Sequence, residues 1–101
     1  MQKLSEAPLL PAPFYARDAV DVARDVLGSL IVRGGVTVRV TEVEAYRWPG
    51  DTACHGRHGR TARNAALWGP PGTAYVYFVY GIHHMLNLVT GHDGEAQAVL
   101  I

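Results

Sequence analysis

Cysteine occurs once in the 101 residues, at Cys54, so no internal disulfide can staple this chain. A reducing compartment fits that usage, with Cys54 a small buried residue. No apolar run approaches the length needed to cross a bilayer. The opening residues, MQKLSEAPLLPAPF, lack both the basic start and the long apolar core of a signal peptide. The chain therefore reads as cytoplasmic. Net charge is zero, which argues against a protein that simply coats a polyanion. Acidic residues are missing altogether between Thr52 and His92, a span that holds Arg57, Arg60, Arg63 and all five histidines (His55, His58, His83, His84, His92). One surface is expected to be positive. Such asymmetry points to a polyanionic partner, or else to a segment that is largely buried.

What is present supports a single core. Apolar residues make up 49% of the composition, enough at this length for one domain and no spare layer. Residues 1–13, broken by Pro8, Pro11 and Pro13, are expected to form an extended lead-in. Asp18 offers a helix N-cap with Asp21 in the first turn. Val22, Ala23, Val26 and Leu27 then share one helical face before Gly28 stops the element. Leu30 to Arg33 reads as a short strand, Gly34-Gly35 as a hairpin turn, and Val36 onward as the returning strand.

That returning stretch, VTVRVTEVEAY, carries a β-branched run straight into two carboxylates and a tyrosine. Side chains two apart share a face in a strand, so Val38, Val40, Glu42, Glu44 and Tyr46 would project together. Glu44 would then sit beside an aromatic ring at the end of a buried run, the setting in which a general base is tuned by desolvation. The plainer alternative is that Glu42 and Glu44 mark where the strand meets solvent.

From Arg47 to Gly72 the chain is rich in Gly, Pro and Arg and reads as a long functional loop. Thr61 can cap a short helix through Leu67 that Gly69-Pro70-Pro71-Gly72 would end, presenting Arg63 near its first turn as part of a phosphate site. Thr73 to Tyr80 (TAYVYFVY) is a strong strand pattern with Tyr75 and Tyr77 on one face. Gly81 follows, Met85 to Thr90 returns, and Tyr80 falls at an exposed hairpin tip where it could wedge between bases. Residues 91–94 (GHDG) form another turn before Ala96 to Ile101. The chain ends inside this apolar run, which suggests truncation and an unpaired strand end.

Four segments, VTEVEAY (40–46), DTACH (51–55), GRTARN (59–64) and PGTAYVYFVYGIHHMLN (71–87), together resemble the alkyladenine (3-methyladenine, methylpurine) DNA glycosylase family. The order, spacing and aromatic positions are kept across most of the chain. The resemblance implies a single mixed α+β domain around a curved antiparallel sheet with packed helices. Residues 14–101 would be the N-terminal part of that catalytic domain, with roughly as much sequence again beyond Ile101, beginning with an arginine beside the catalytic water. It implies cleavage of the N-glycosidic bond of alkylated or deaminated purines after base flipping.

Position by position, the resemblance makes Glu44 the general base, Tyr46 and Tyr77 the aromatics that sandwich the flipped base, and His55 the residue at its edge. Tyr80 would enter the minor groove, and Asn87 would disfavour the amino group of guanine. Arg57, Arg60, Arg63 and Asn64 are expected along the DNA backbone. The implied partner is double-stranded DNA containing damaged purines, with no membrane, no cofactor and no metal. The implied protein is monomeric at full length and nucleoid-associated in a bacterial-type cytoplasm. Lys3 is the sole lysine, which leaves a Schiff-base lyase without an obvious nucleophile, so monofunctional hydrolysis is expected.

Two rival readings remain at this point. His55, His58 and the pair His83-His84 could serve a metal hydrolase, although the first two lie in a glycine-rich loop and no carboxylate falls in the acid-free span. A non-catalytic β-rich module could bind nucleic acid through the arginine loop and the tyrosine strand. Glu44 separates that reading from catalysis, because phosphates repel a carboxylate that binding alone does not need.

Overall fold

The computed structural model describes residues 9–48, 59, 61–62, 64–92 and 95–101. Its first element is one turn of helix, α1 (Ala12–Tyr15), so the extended lead-in gives way at Ala12 rather than after Pro13. Proline is tolerated in a first helical turn because its missing N–H has no intrahelical partner there. Asp18 caps α2 (Ala19–Val26) as expected, its Oδ1 accepting the Val20 N–H at 2.9 Å. Ala19, Val22, Ala23 and Val26 are buried on one face. Leu27 is not with them. It is 46% exposed, because the backbone leaves helical geometry at that residue (φ −56°, ψ 133°) and Gly28 then turns it with φ +84°.

A hairpin of β1 (Leu30–Arg33) and β2 (Val36–Arg39) follows, with Ile31 opposite Val38. Here the continuous strand expected from Val36 to Tyr46 is corrected. β2 stops at Arg39. Val40 donates its N–H to Ser29 and accepts from Gly28, both at 2.9 Å, which swings its side chain under α2 into the core. The chain crosses residues 41–43 without strand pairing and enters a second sheet as β3 (Glu44–Trp48). Val38, Val40, Glu42 and Glu44 therefore do not share a face: Val38 and Glu42 are exposed while Val40 is buried.

In place of the α-helix expected from Thr61, a 3-10 turn spans Ala65–Trp68, closed by the Gly69 N–H on the Ala66 carbonyl at 3.1 Å. β4 (Ala74–Val79), β5 (His83–Val89) and β6 (Ala96–Leu100) complete an antiparallel sheet of order β3-β6-β5-β4. The fold class is α+β, as expected. The expected unpaired strand end is corrected. β6 lies inside the sheet with β3 on one side and β5 on the other, and Ile101 donates its N–H to Leu86 at 2.9 Å.

The sheet has two differently furnished faces. Ala45 and Val99 pack against α2 together with Val22, Val26 and Val40. Each of these buried valines contributes about 1.5–3 kcal/mol by its removal from water. Two polar clips fasten the start of α2 to neighbouring strands. Arg47 pairs with Asp18 at 2.7 Å, and the Ala19 N–H donates to Gln97 Oε1 at 2.9 Å. On the opposite face Leu67, Tyr75, Val89, Ala96 and Ala98 form a second apolar cluster, flanked by Tyr46, Trp68 and Tyr77.

Candidate active site

Strand register builds a row across this second face. Glu44 of β3 lies opposite Leu100 of β6, Leu100 opposite Asn87 of β5, and Asn87 opposite Tyr75 of β4. The next residues on the same side, Tyr46 and Ala98, are also opposite each other, as are Tyr77 and Met85. A cavity of about 310 Å³ opens over this array. Its base comes from Ala98, Leu100, Met85 and Asn87 on the two inner strands. Tyr46 and Tyr77 stand on the two outer strands, on opposite sides of the Glu44–Tyr75 row. Ala98 matters because it is small, leaving depth beside Tyr46 that a larger residue would fill. An apolar, aromatic cavity with a few polar groups is what a planar organic ligand requires.

Glu44 supplies the carboxylate of the cavity. Its side chain is exposed, not desolvated at the end of a buried run, because β3 begins at this residue. The Tyr46 hydroxyl donates a hydrogen bond to Glu44 Oε2, two residues back along the same strand. Glu44 and Leu100 also border a second, more open groove of about 420 Å³, so the carboxylate is reached from two sides.

Tyr77 is the other aromatic wall. Burial pushes its phenol above the ordinary value, a hydrogen bond with the Asn87 side chain opposes that, and the Glu44 carboxylate raises it further. Tyr77 thus stays neutral at physiological pH. Its ring lies 5.6 Å from that of Tyr75, which is buried and braces it from behind. Asn87 is buried as well, and its Nδ2 makes long contacts with the carbonyls of Tyr75 (3.4 Å) and Met85 (3.5 Å). The amide is therefore held at the cavity base by the neighbouring strand β4 and by its own strand β5.

Tyr80 is 91% exposed and borders the same cavity from the β4–β5 tip. Its φ is +55°, followed by +70° at Gly81, and the Ile82 N–H returns to the Val79 carbonyl at 3.2 Å. Positive φ at both central positions suits Asn-Gly or Gly-Gly, so a bulky tyrosine held there is a strained, exposed residue of the kind that collects at functional sites.

The structure thus brings Glu44, Tyr46, Tyr77, Tyr80 and Asn87 to one cavity. Asn64 is not with them and does not face outward. It is 6% exposed and knits its own loop: Oδ1 accepts the Thr61 N–H at 2.6 Å, and Nδ2 donates to the Gly59 carbonyl at 3.1 Å. These bonds shape the turn ahead of Leu67. His55, Arg57, Arg60 and Arg63 lie outside the described residues, as do Cys54 and His58. His83 is exposed, and His84 stacks on Phe78 with ring centroids 4.8 Å apart. Among the described residues no group of three His, Cys, Asp or Glu side chains is placed to share a metal. Sequence reasoning assigned no role to Tyr75, Leu67, Met85 or Ala98. The alternation of AYVYFV already put Tyr75 beside Tyr77, whereas Leu67 and Ala98 needed the tertiary pairing.

Comparison with known proteins bears on this constellation. Residues 13–101 match the methylpurine-DNA glycosylase family (MPG). A Nitrosococcus oceani protein named "Putative 3-methyladenine DNA glycosylase" is 67% identical over 93 residues, covering 92% of this chain and 46% of the relative. A Streptomyces avermitilis protein of the same name is 52% identical over 96 residues, 91% of this chain and 45% of the relative. An Arabidopsis thaliana protein named "DNA-3-methyladenine glycosylase" is 53% identical over 97 residues, 96% of this chain and 38% of the relative. The chain spans about half the length, or less, of these curated relatives. With the match running from α1 through β6 and taking in every strand of the cavity, the chain belongs to the methylpurine-DNA glycosylase family.

Proposed function

We propose that the protein carrying this chain excises alkylated or deaminated purines from duplex DNA by hydrolysing the N-glycosidic bond. The observation that carries the reading is the convergence of one carboxylate and two tyrosine rings on a single cavity whose rim bears an exposed, strained tyrosine. A base inside a duplex is out of reach, so the extruded state must be stabilised by stacking and the vacated space filled. Tyr46 and Tyr77 supply the stacking, each ring contributing about 1–3 kcal/mol. Tyr80 fills the gap from the hairpin tip, and Asn87 at the cavity base discriminates by the purine's exocyclic group. Arg57, Arg60 and Arg63 bind phosphates in this reading, on the strength of their place in the acid-free span.

Glu44 takes a proton from a water molecule as the water oxygen bonds to C1′ of the sugar. The C1′–N bond breaks and its electron pair leaves with the purine. A cationic alkylated purine departs neutral, and a deaminated one is protonated by solvent. The carboxylate also stabilises the positive charge that develops on the sugar, so one group meets both demands. Lys3 is the sole lysine of these 101 residues and none lies near the cavity motifs, which supports a monofunctional reaction that leaves an intact abasic strand.

The test uses the full-length protein and duplexes containing hypoxanthine, 3-methyladenine or ethenoadenine. Free base is measured by chromatography and strand breaks on a gel. Release of at least one of these bases, with breaks appearing only after alkali, is expected. No release from any of the three overturns the glycosylase reading, and breaks without alkali overturn the monofunctional mechanism.

A further inference from the structure

Tyr46 stands in the cavity as a ring, and its hydroxyl is turned to a second residue of the same cavity. It reaches along β3 to Glu44 Oε2, and among the described residues this is the one hydrogen bond that the Glu44 carboxylate receives. Glu44 is otherwise an exposed side chain at the first position of β3, which among the described residues has β6 as its neighbour in the sheet. An exposed carboxylate has several rotamers open to it, and few of them place an oxygen where the attacking water must lie. We infer that Tyr46 is a positioning residue for Glu44. Its hydroxyl holds Oε2 and leaves Oε1 free to accept the proton of the attacking water.

The inference rests on the glycosylase reading and adds to it a second task for Tyr46, distinct from stacking. Three features support it. Side chains at i and i+2 of a strand share a face, so the contact needs no distortion of β3. A charge-assisted hydrogen bond to a carboxylate is among the stronger and more directional kinds. The same bond fixes the tilt of the tyrosine ring, because a phenol tied at its oxygen loses freedom about both side-chain torsions. The stacking surface and the base are thereby set by one contact, which keeps the reacting geometry narrow.

Stacking and positioning separate experimentally because phenylalanine keeps the ring and loses only the hydroxyl. The full-length parent, Tyr46→Phe, Tyr46→Leu and Glu44→Gln are compared on a duplex containing ethenoadenine, whose fluorescence reports extrusion and stacking. Single-turnover excision is followed in parallel, and a thermal melt checks the fold of each. For Tyr46→Phe, duplex affinity and the stacking signal are expected within two-fold of the parent while the excision step slows at least ten-fold. For Tyr46→Leu, signal and rate are both expected to fall.

Parent-like excision by Tyr46→Phe, with Glu44→Gln inactive, overturns the positioning role and leaves the glycosylase reading standing. Loss of the stacking signal in Tyr46→Phe also overturns it, because the hydroxyl would then support the ring and not the carboxylate. Parent-like excision by Glu44→Gln overturns the glycosylase chemistry itself and the positioning role with it.

Discussion

Replacing Ala98 with leucine fills the cavity while leaving in place every side chain assigned a role in stacking or chemistry. Ala98 lies in β6 opposite Tyr46 on one side and Val89 on the other, and its side chain forms part of the cavity base. The added carbons enter space already bounded by apolar side chains, where about 0.8 kcal/mol per CH₂ gives a gain of about 2 kcal/mol. Crowding against Tyr46 and Tyr75 costs about 1–3 kcal/mol. The two contributions nearly cancel, so the full-length variant is expected to melt within about 4 °C of the parent. Binding of an extruded base has no such compensation. Stacking on two rings is worth about 2–6 kcal/mol in all, and its loss corresponds to a drop in excision of about 30-fold to about 25,000-fold. The assay is single-turnover excision of hypoxanthine from a duplex, run beside a thermal melt. A variant that melts like the parent and excises within three-fold of it would refute the identification of this cavity as the base pocket.

Other perturbations separate fold from function. Tyr80→Gly removes a side chain whose positive φ costs about 1–2 kcal/mol, offset by about 0.5–1 kcal/mol of extra chain entropy for glycine. Stability is therefore expected to be unchanged or slightly raised while lesion binding weakens, and a marked fall in melting temperature would contradict the exposed-tip placement. Asp18→Ala removes the α2 cap and is expected to cost about 1 kcal/mol in a denaturant titration. The Asp18 carboxyl is held below its ordinary value chiefly by the Val20 N–H; desolvation opposes this, and the hydrogen bond and charge of Arg47 add to the lowering. Its contribution is accordingly present above the ordinary aspartate range and fades as pH falls through the lowered value. The parent should lose stability over that acidic window more steeply than Asp18→Ala, and parallel curves would contradict the linkage. Asn64→Ala leaves the Thr61 N–H and Gly59 carbonyl without their partner and is expected to cost about 1–3 kcal/mol. Affinity of the folded variant for DNA should change little, and a large loss at unchanged stability would place Asn64 at the DNA surface.

Local pattern carried the reading of this chain where neighbours in sequence decide the outcome. The α2 cap at Asp18, the β1–β2 turn, and the shared face of Tyr75 and Tyr77 follow from capping, glycine conformation and alternation. The errors fall where distant residues decide. Val40 and Thr41 are good strand formers, so nothing in the alternation marks a break after Arg39; the break comes from Ser29 and Gly28 taking the backbone of Val40. Leu27 fits the apolar face by spacing but lies past the helix end, one residue before the glycine that turns the chain. The interior place of β6 depends on pairing with β3 and β5 across long sequence separations, which no short window records. In the site, Glu44 and Tyr46 were legible as an i, i+2 pair. The polar environment of Asn87 was not, because it is assembled from β4 and β5 together. Asn64 shows the reverse failure, a polar residue beside arginines that reads as surface and is buried.

The central claim is geometric: a purine turned out of the duplex lies between Tyr46 and Tyr77 with its glycosidic carbon facing Glu44. A crystal structure of the full-length Glu44→Gln variant bound to a duplex containing ethenoadenine measures this directly. The modified base is expected in the cavity between those two rings, with the side chain of Tyr80 in the gap it leaves and C1′ on the side of residue 44. A base that remains stacked in the duplex, or that binds away from Tyr46 and Tyr77, would contradict it.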